Sequence, residues 1–264
     1  MKIWALTKIG LKECLRQRVV YFIFLISLLF VFMAKGCDIG TIRSENLLIG
    51  KEARQGISFG ISFHGIVFWS IMLCGLLASQ ALTRDMDEGY ASATLARPLG
   101  RDAYIAGKLL PVIIISTLNL TVLGGLFCWF FYRATGAITM QIPLSFFFMT
   151  LSLALYGLMI FCLSLFIPRQ LAPLAGIVVY MISCWSSLPY SVENLKIFWT
   201  PSVTVQRLHL LLPKFGDLQC IGASILSGQQ PFDAVNPLAV AGNIAIYVSV
   251  FWYVTVWVFK RREL

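Results

Sequence analysis

Six stretches of the chain, residues 19–34, 57–82, 109–132, 142–167, 171–188 and 235–259, contain no Asp, Glu, Lys or Arg. A helix needs about 20 mainly apolar residues to cross about 30 Å of hydrocarbon. Inside a bilayer every backbone polar group must be satisfied by the chain itself, which such a helix does. The first and fifth runs are short, and the first gains reach if Arg18 and Lys35 snorkel at its ends. With 58% hydrophobic and 12% charged residues, the chain is too apolar for a soluble domain. The expectation is an all-α integral membrane protein with six transmembrane helices. Pro111, Pro143 and Pro173 each fall near the beginning of a run, where a missing N–H costs little, and are read as marking helix starts.

Orientation follows from the basic residues of the connections. With the N terminus inside, 13 of the 21 Lys and Arg lie on the inner side, and the outer connections are the longer ones. Both termini and the 84–108 connection are therefore expected in the cytoplasm. Before the first run, KIWALTKIGLKECLRQR (residues 2–18) places Lys8, Lys12 and Arg16 on one helical stripe. Ile3, Trp4, Leu6, Leu11, Cys14 and Leu15 cover most of the other side. This predicts an interfacial amphipathic helix on the inner leaflet. The box MAKGC ending at Cys37 looks like a lipoprotein cleavage site, but Lys35 spoils it and the leading segment is too long.

RDMDEGYASATLARPLGR (residues 84–101) is the most charge-rich connection. Asp85 and Asp87 suit a helix start, Glu88 complements its positive end, Arg97 its negative end, and Pro98 with Gly100 stop it. The expected product is a cytoplasmic helix of about three turns, too short to be stable without a partner to sit against.

Residues 202–213 and 216–228 are apolar but too short to span. They predict short outer helices, interfacial or re-entrant, between the fifth and sixth crossings. Residues 56–60, GISFG, satisfy G-x-S-x-G, but the hydrolase motif needs a strand–turn–helix setting and an acid partner. Gly56 and Gly60 are read instead as a small-residue face for helix packing. The seven cysteines show neither C-x-x-C nor metal-ligand spacing, and no metal site is expected. Cys37 and Cys220 both fall in outer connections, so a bridge between them stays open. His209 is expected to decorate an outer interfacial helix. The net charge of +9 comes from residues flanking apolar runs, not from a basic stripe with interleaved aromatics, so nucleic acid is not an expected partner.

DEGYASATLARPLGRDAYIAGK (residues 87–108) resembles the loop between the second and third spans of permeases of the type-2 ABC exporter superfamily. An acidic pair and Gly lead there into a Leu-rich turn, then Arg-Pro, Arg and Gly-Lys. LTKIGLKECLRQR (residues 6–18) resembles that family's leading amphipathic helix, and VFKRREL (residues 258–264) its basic terminus. Tyr90 and Gly100 stand where the family commonly has Thr and Ser, so the loop carries no substrate subgroup.

The resemblance implies that residues 1–264 form one transmembrane permease domain in a bacterial inner membrane. It implies a second permease chain, homo- or heterodimeric, contact with membrane lipid, and a coupling helix seated in a separate ATP-binding cassette subunit. Asp87, Glu88, Gly89, Arg97, Pro98, Gly100 and Arg101 are the residues it assigns to that coupling. ATP and Mg would then sit on the partner subunit, with no cofactor and no enzymatic site in this chain. The residues agree: none of the six apolar runs holds an Asp, Glu, Lys or Arg for proton coupling. Gly107-Lys108 lacks both the first glycine and the following hydroxyl of a P-loop. Two alternatives of other classes are a non-transporting scaffold or self-protection protein, which would work beside a catalytically dead ATPase, and a cation-coupled carrier, which would need internal repeats and broken helices.

Overall fold

The computed structural model describes residues 2–36, 51–87, 89, 100–135, 141–191, 202–227 and 236–261. Among them every regular element is a helix: α1 (Lys2–Arg16), α2 (Arg18–Gly36), α3 (Lys51–Asp87), α4 (Arg101–Thr135), α5 (Ile142–Ser164), α6 (Ala172–Ser191), α7 (Val203–Leu211), α8 (Phe215–Ser227) and α9 (Pro237–Arg261). By length and composition, Phe63–Asp87, Arg101–Phe130, Ile142–Ser164 and Leu238–Arg261 are long and apolar enough to cross a membrane. The pair α1–α2, bent by 66° at Gln17, makes a fifth if it counts as one broken span, and α6 is apolar but shorter over Ala172–Ser187. The short helices expected near residues 202–213 and 216–228 are present as α7 and α8.

α3, α4 and α5 form the centre of the bundle. Phe63, Ile71, Leu77, Val112, Leu120, Leu153 and Phe161 are all fully buried there. Apolar burial adds little inside lipid, where helices associate through close packing and small residues. Gly157 accordingly lies against Cys74, and Gly124 lets the ring of Phe146 approach α4. Asn119 donates from Nδ2 to Ser70 Oγ at 3.1 Å and ties α4 to α3. Thr121 turns its hydroxyl back to the carbonyl of Thr117 at 2.6 Å.

Two expectations about local structure are corrected. Pro111 does not open a helix, because α4 begins ten residues earlier at Arg101 and carries Pro111 in its interior. The proline faces α1: a Cβ on Gly10 would stand 2.7 Å from Pro111 Cγ, and one on Gly107 would stand 2.9 Å from Leu6 Cβ. Gly10 and Gly107 therefore set a close crossing of α1 over α4. α1 buries the stripe Thr7, Gly10 and Cys14 against this crossing while Trp4 and Ile9 stay exposed. Pro143 and Pro173 do sit in the first turns of α5 and α6.

The second correction concerns Asp85, which lies inside a helix and does not start one. α3 runs on through Asp85 and ends at Asp87. Gly89 follows at φ 73°, with its N–H on the Met86 carbonyl at 3.3 Å. That left-handed turn is available to glycine at almost no steric cost, and it stops the helix.

Candidate functional site

Charge gathers at one end of the bundle. Lys108, one turn before Pro111 on α4, places Nζ 2.7 Å from Asp85 Oδ2 of α3 and 2.9 Å from Glu13 Oε2 of α1. Tyr104, one turn earlier on the same face of α4, donates its hydroxyl to Asp85 Oδ2 at 2.5 Å. Lys108 and Asp85 are buried, whereas Glu13 is half exposed. Tyr104 in turn stacks on Phe259 of α9, with ring centroids 5.7 Å apart and planes 14° apart. One cation thus joins three helices, and one aromatic pair adds a fourth.

The residues assigned to coupling lie around this network where they are described. Asp87 ends α3 and pairs with Arg169 of the α5–α6 turn at 3.3 Å; both side chains are about half exposed, which makes the pair a weak tether. Gly89 forms the left-handed turn already described. Gly100 precedes α4 and its carbonyl accepts from the Tyr104 N–H at 3.1 Å. Arg101 donates from Nη1 to the Lys260 carbonyl at 2.6 Å, a cation on the C-terminal carbonyls of α9. Asp102 lies 3.8 Å from Lys260 Nζ. Glu88, Arg97 and Pro98 lie outside the described residues. So do the surroundings of Gly56 and Gly60, which fall on the backbone of α3.

Sequence reasoning missed Glu13, Asp85, Tyr104 and Lys108 as a unit. A signal was present: Lys108 has Tyr104 and Val112, not an acid, one turn away on either side. A lysine abutting an apolar run with no acid at that spacing must find its carboxylate on another helix.

A second polar cluster sits at the opposite end, where the α7–α8 joint meets α6 and α9. Ser183 donates to the Pro213 carbonyl at 2.5 Å, Asn243 Oδ1 accepts the Lys214 N–H at 3.1 Å, and Tyr247 donates to the Leu211 carbonyl. The carboxylate of Asp217 is buried here, with Lys214 Nζ at 3.3 Å and His209 Nε2 at 3.6 Å. Neither Asp217 oxygen accepts a well-formed hydrogen bond, so these contacts are ionic in character. His209 is therefore tucked into the joint and does not decorate a surface.

Burial pushes the His209 imidazole below its ordinary 6.5; Asp217 pulls it up and the Lys214 ammonium, 3.4 Å away, pushes it down again. A base whose folded pKa is depressed stabilises the fold above its unfolded value, and that stability is lost as pH falls from about 6.5 through the depressed value. The expected result is a melting midpoint that drops between about pH 8 and about pH 5, with the drop reduced in His209→Gln. An equal drop in the variant would assign the effect to other groups.

The pattern G-x-S-x-G at residues 56–60 lies within the continuous helix α3, not on a strand–turn–helix elbow. Among the described residues no group of three or more His, Cys, Asp or Glu could hold a metal ion. Cys37 lies outside the described residues, and Cys220 lies in α8. What the charged end can do is mechanical: it ties α1, α3, α4, α9 and the α5–α6 turn to the two ends of one connection.

A family model described as ABC-2 family transporter protein matches residues 4–264. Comparison with curated proteins returns no match. A match over nearly the whole length, on a bundle of long apolar helices, shows that the chain belongs to the ABC-2 transporter family, as a multi-pass membrane subunit of an ABC transporter.

Proposed function

We propose that this permease works as an exporter subunit of six spans with both termini in the cytoplasm, paired with a second permease chain and driven by separate ATP-binding subunits. The carrying observation is that α3 ends at Asp87 and α4 begins just after Gly100, and that both flanks of this connection are tied to several helices at once. Asp85 reaches α4 and, through Lys108, α1; Asp87 reaches the α5–α6 turn; Arg101 reaches the end of α9. A displacement delivered to the connection would be passed to those helices together, because packed elements switch between discrete arrangements more readily than they deform. Glu88 and Arg97 would meet the ATP-binding subunit, with Pro98 and Gly100 setting the turn that transmits force. ATP and Mg belong to that subunit, and residues 1–264 act as one permease domain of a bacterial inner membrane.

The test is the double variant Glu88→Gln/Arg97→Gln, reconstituted with its ATPase. Insertion and melting temperature should match the unmodified chain, while transport and stimulated ATP hydrolysis fall by about tenfold, the effect of losing charge-assisted contacts worth about 1.4 kcal/mol. Undiminished coupling would remove the connection from the transmission path. Reporter fusions at residues 100 and 264 that gave an outside signal would overturn the topology.

A further inference from the structure

The joint between α7 and α8 is a hinge with one firm arm and one loose arm. α8 is the firm one: Phe215, Leu218, Ile221 and Ile225 are buried, and a Cβ on Gly216 would stand 3.0 Å from the Cα of Cys184, so α8 lies directly on the backbone of α6. Of the nine residues of α7 only Val205 is buried, while Val203, Leu210 and Leu211 are exposed, and the side chain of the cap residue Ser202 makes no capping bond. Between the arms Leu212 is extended, at φ −90° and ψ 153°, and Pro213 follows. Across this hinge three ionisable side chains meet, one from each part of the hairpin: His209 of α7, Lys214 of the joint and Asp217 of α8. We propose that this triangle is a proton-operated latch: neutral His209 holds α7 against α8, and protonation of its Nε2 lets α7 swing away on the hinge at 212–214 while α8 stays in place.

The sides of the triangle are 3.3 Å from Lys214 Nζ to Asp217 Oδ2, 3.4 Å from Lys214 Nζ to His209 Nε2 and 3.6 Å from His209 Nε2 to Asp217 Oδ2. The side chains are 12%, 11% and 1% exposed for Lys214, His209 and Asp217, so little water is present to screen them. In the Nδ1–H tautomer the neutral ring offers the Nε2 lone pair to the ammonium, and one cation faces one carboxylate. A proton taken from water fills that lone pair and stays on the ring. Two cations then stand 3.4 Å apart against a single carboxylate, and the charge of the triangle rises from zero to +1. The other groups at the joint do not offset this. α6 brings Tyr180 and Cys184 and α9 brings Tyr247, all neutral below about pH 7, and the exposed Arg207 of α7 is a further cation. Burial holds the imidazole below its ordinary 6.5, with Asp217 pulling it up and Lys214 pushing it down. The released arm, back in water, binds the proton more tightly than the docked one, so acid favours release.

That the trigger is acid outside the cell rests on the topology proposed above, because α7 and α8 lie between the end of α6 and the start of α9; the latch itself does not. The full chain in nanodiscs is followed by amide hydrogen exchange, each rate divided by its intrinsic rate at the same pH. Between about pH 7.5 and about pH 5 the protection of residues 207–211 should fall about tenfold, while residues 218–225 keep theirs. His209→Gln keeps an acceptor that does not protonate in this range and should hold α7 protected at both ends. His209→Lys carries a permanent cation and should leave α7 poorly protected at both. Lys214→Met leaves a protonated His209 facing Asp217 alone and should lose most of the acid response. Constant protection in the unmodified chain, or an equal acid loss in His209→Gln or in Lys214→Met, would overturn the latch. A parallel loss over residues 218–225 would also overturn it, in favour of general loosening of the bundle. No ATPase enters this assay, so failure here leaves the coupling role standing, and failure of coupling leaves the exchange profile unchanged.

Discussion

Lys108→Ala is expected to lower the stability of the chain by about 3–5 kcal/mol, read as a fall of about 10 °C in the melting midpoint in detergent. The lysine is the only cation within hydrogen-bond reach of Asp85 among the described contacts, and Asp85 is buried between α3 and α4. Removing the ammonium leaves a buried carboxylate facing only the hydroxyl of Tyr104, and an uncompensated buried charge costs more than the pair contributed. The apolar double variant Lys108→Met/Asp85→Leu should therefore be more stable than Lys108→Ala alone, although it removes more polar contacts. Glu13, half exposed, can return to solvent in either background. If the double variant is the less stable of the two, the pair is not acting as a buried charge and its partner.

Phe215→Ala should cost about 3–5 kcal/mol at the other end of the bundle. Phe215 is the first residue of α8 and is fully buried. Its ring stands 6.1 Å from Tyr156 of α5 and 5.8 Å from Tyr180 of α6, and these two tyrosines are themselves 6.0 Å apart. The three rings close a triangle of tilted and edge-on contacts, the geometry aromatic quadrupoles favour, so truncation removes two ring contacts as well as leaving a cavity. Gly176 tightens the enclosure, since a Cβ there would meet Ile160 Cδ1 and the Tyr156 hydroxyl. Phe215→Leu, which keeps most of the volume, should cost less than about half as much. A melting midpoint for Phe215→Ala within about 2 °C of the unmodified chain would show that α8 is held by its polar joint and not by this triangle.

Reading apolar runs located the helices well because lipid imposes one rule on all of them: no charge across the hydrocarbon. α5 was placed to within a few residues for this reason. The same rule misjudged the starts and ends of α3 and α4. A search for charge-free sequence stops at Leu82 and begins again at Leu109, yet the helices run to Asp87 and start at Arg101. The extra turns hold Asp85 and Lys108, and each neutralises the other. No single-segment pattern shows that, because the two partners lie on different helices and the pairing exists only after they meet. Pro111 was misread in the same way. A proline near the edge of an apolar run looks like a helix start until its face is seen to be the one over which α1 crosses at Gly10.

The amphipathic character of α1 was legible from the spacing of Lys8, Lys12 and Arg16, but its seat on α4 was not. The residues responsible are Gly10 and Gly107, and a glycine in a helix gives no sign of which neighbour it admits. The burial of His209 and Asp217 was also invisible, because a short polar-tolerant segment between two spans has the same composition whether it floats or folds back on α6 and α9. The connection at 84–101 resembles the family in order and spacing, and the correction to Asp85 changes only where the helix preceding it ends.

The bond between Glu13 and Lys108 spans 95 residues of sequence. At about 5–20 residues per second, translation leaves roughly 5–20 s during which Glu13 has been made and Lys108 has not. Throughout that interval α1 has no dock, and its exposed Trp4 and Ile9 together with its row of lysines suit it to wait on the bilayer surface. Its final seat is filled only when the fourth helix is delivered from the ribosome, so the first helix made is among the later ones to be locked. Arrested nascent chains bearing a cysteine pair at Leu6 and Gly107 would time the event: cross-linking should be absent until α4 has cleared the exit tunnel, and earlier cross-linking would mean that α1 docks by another route.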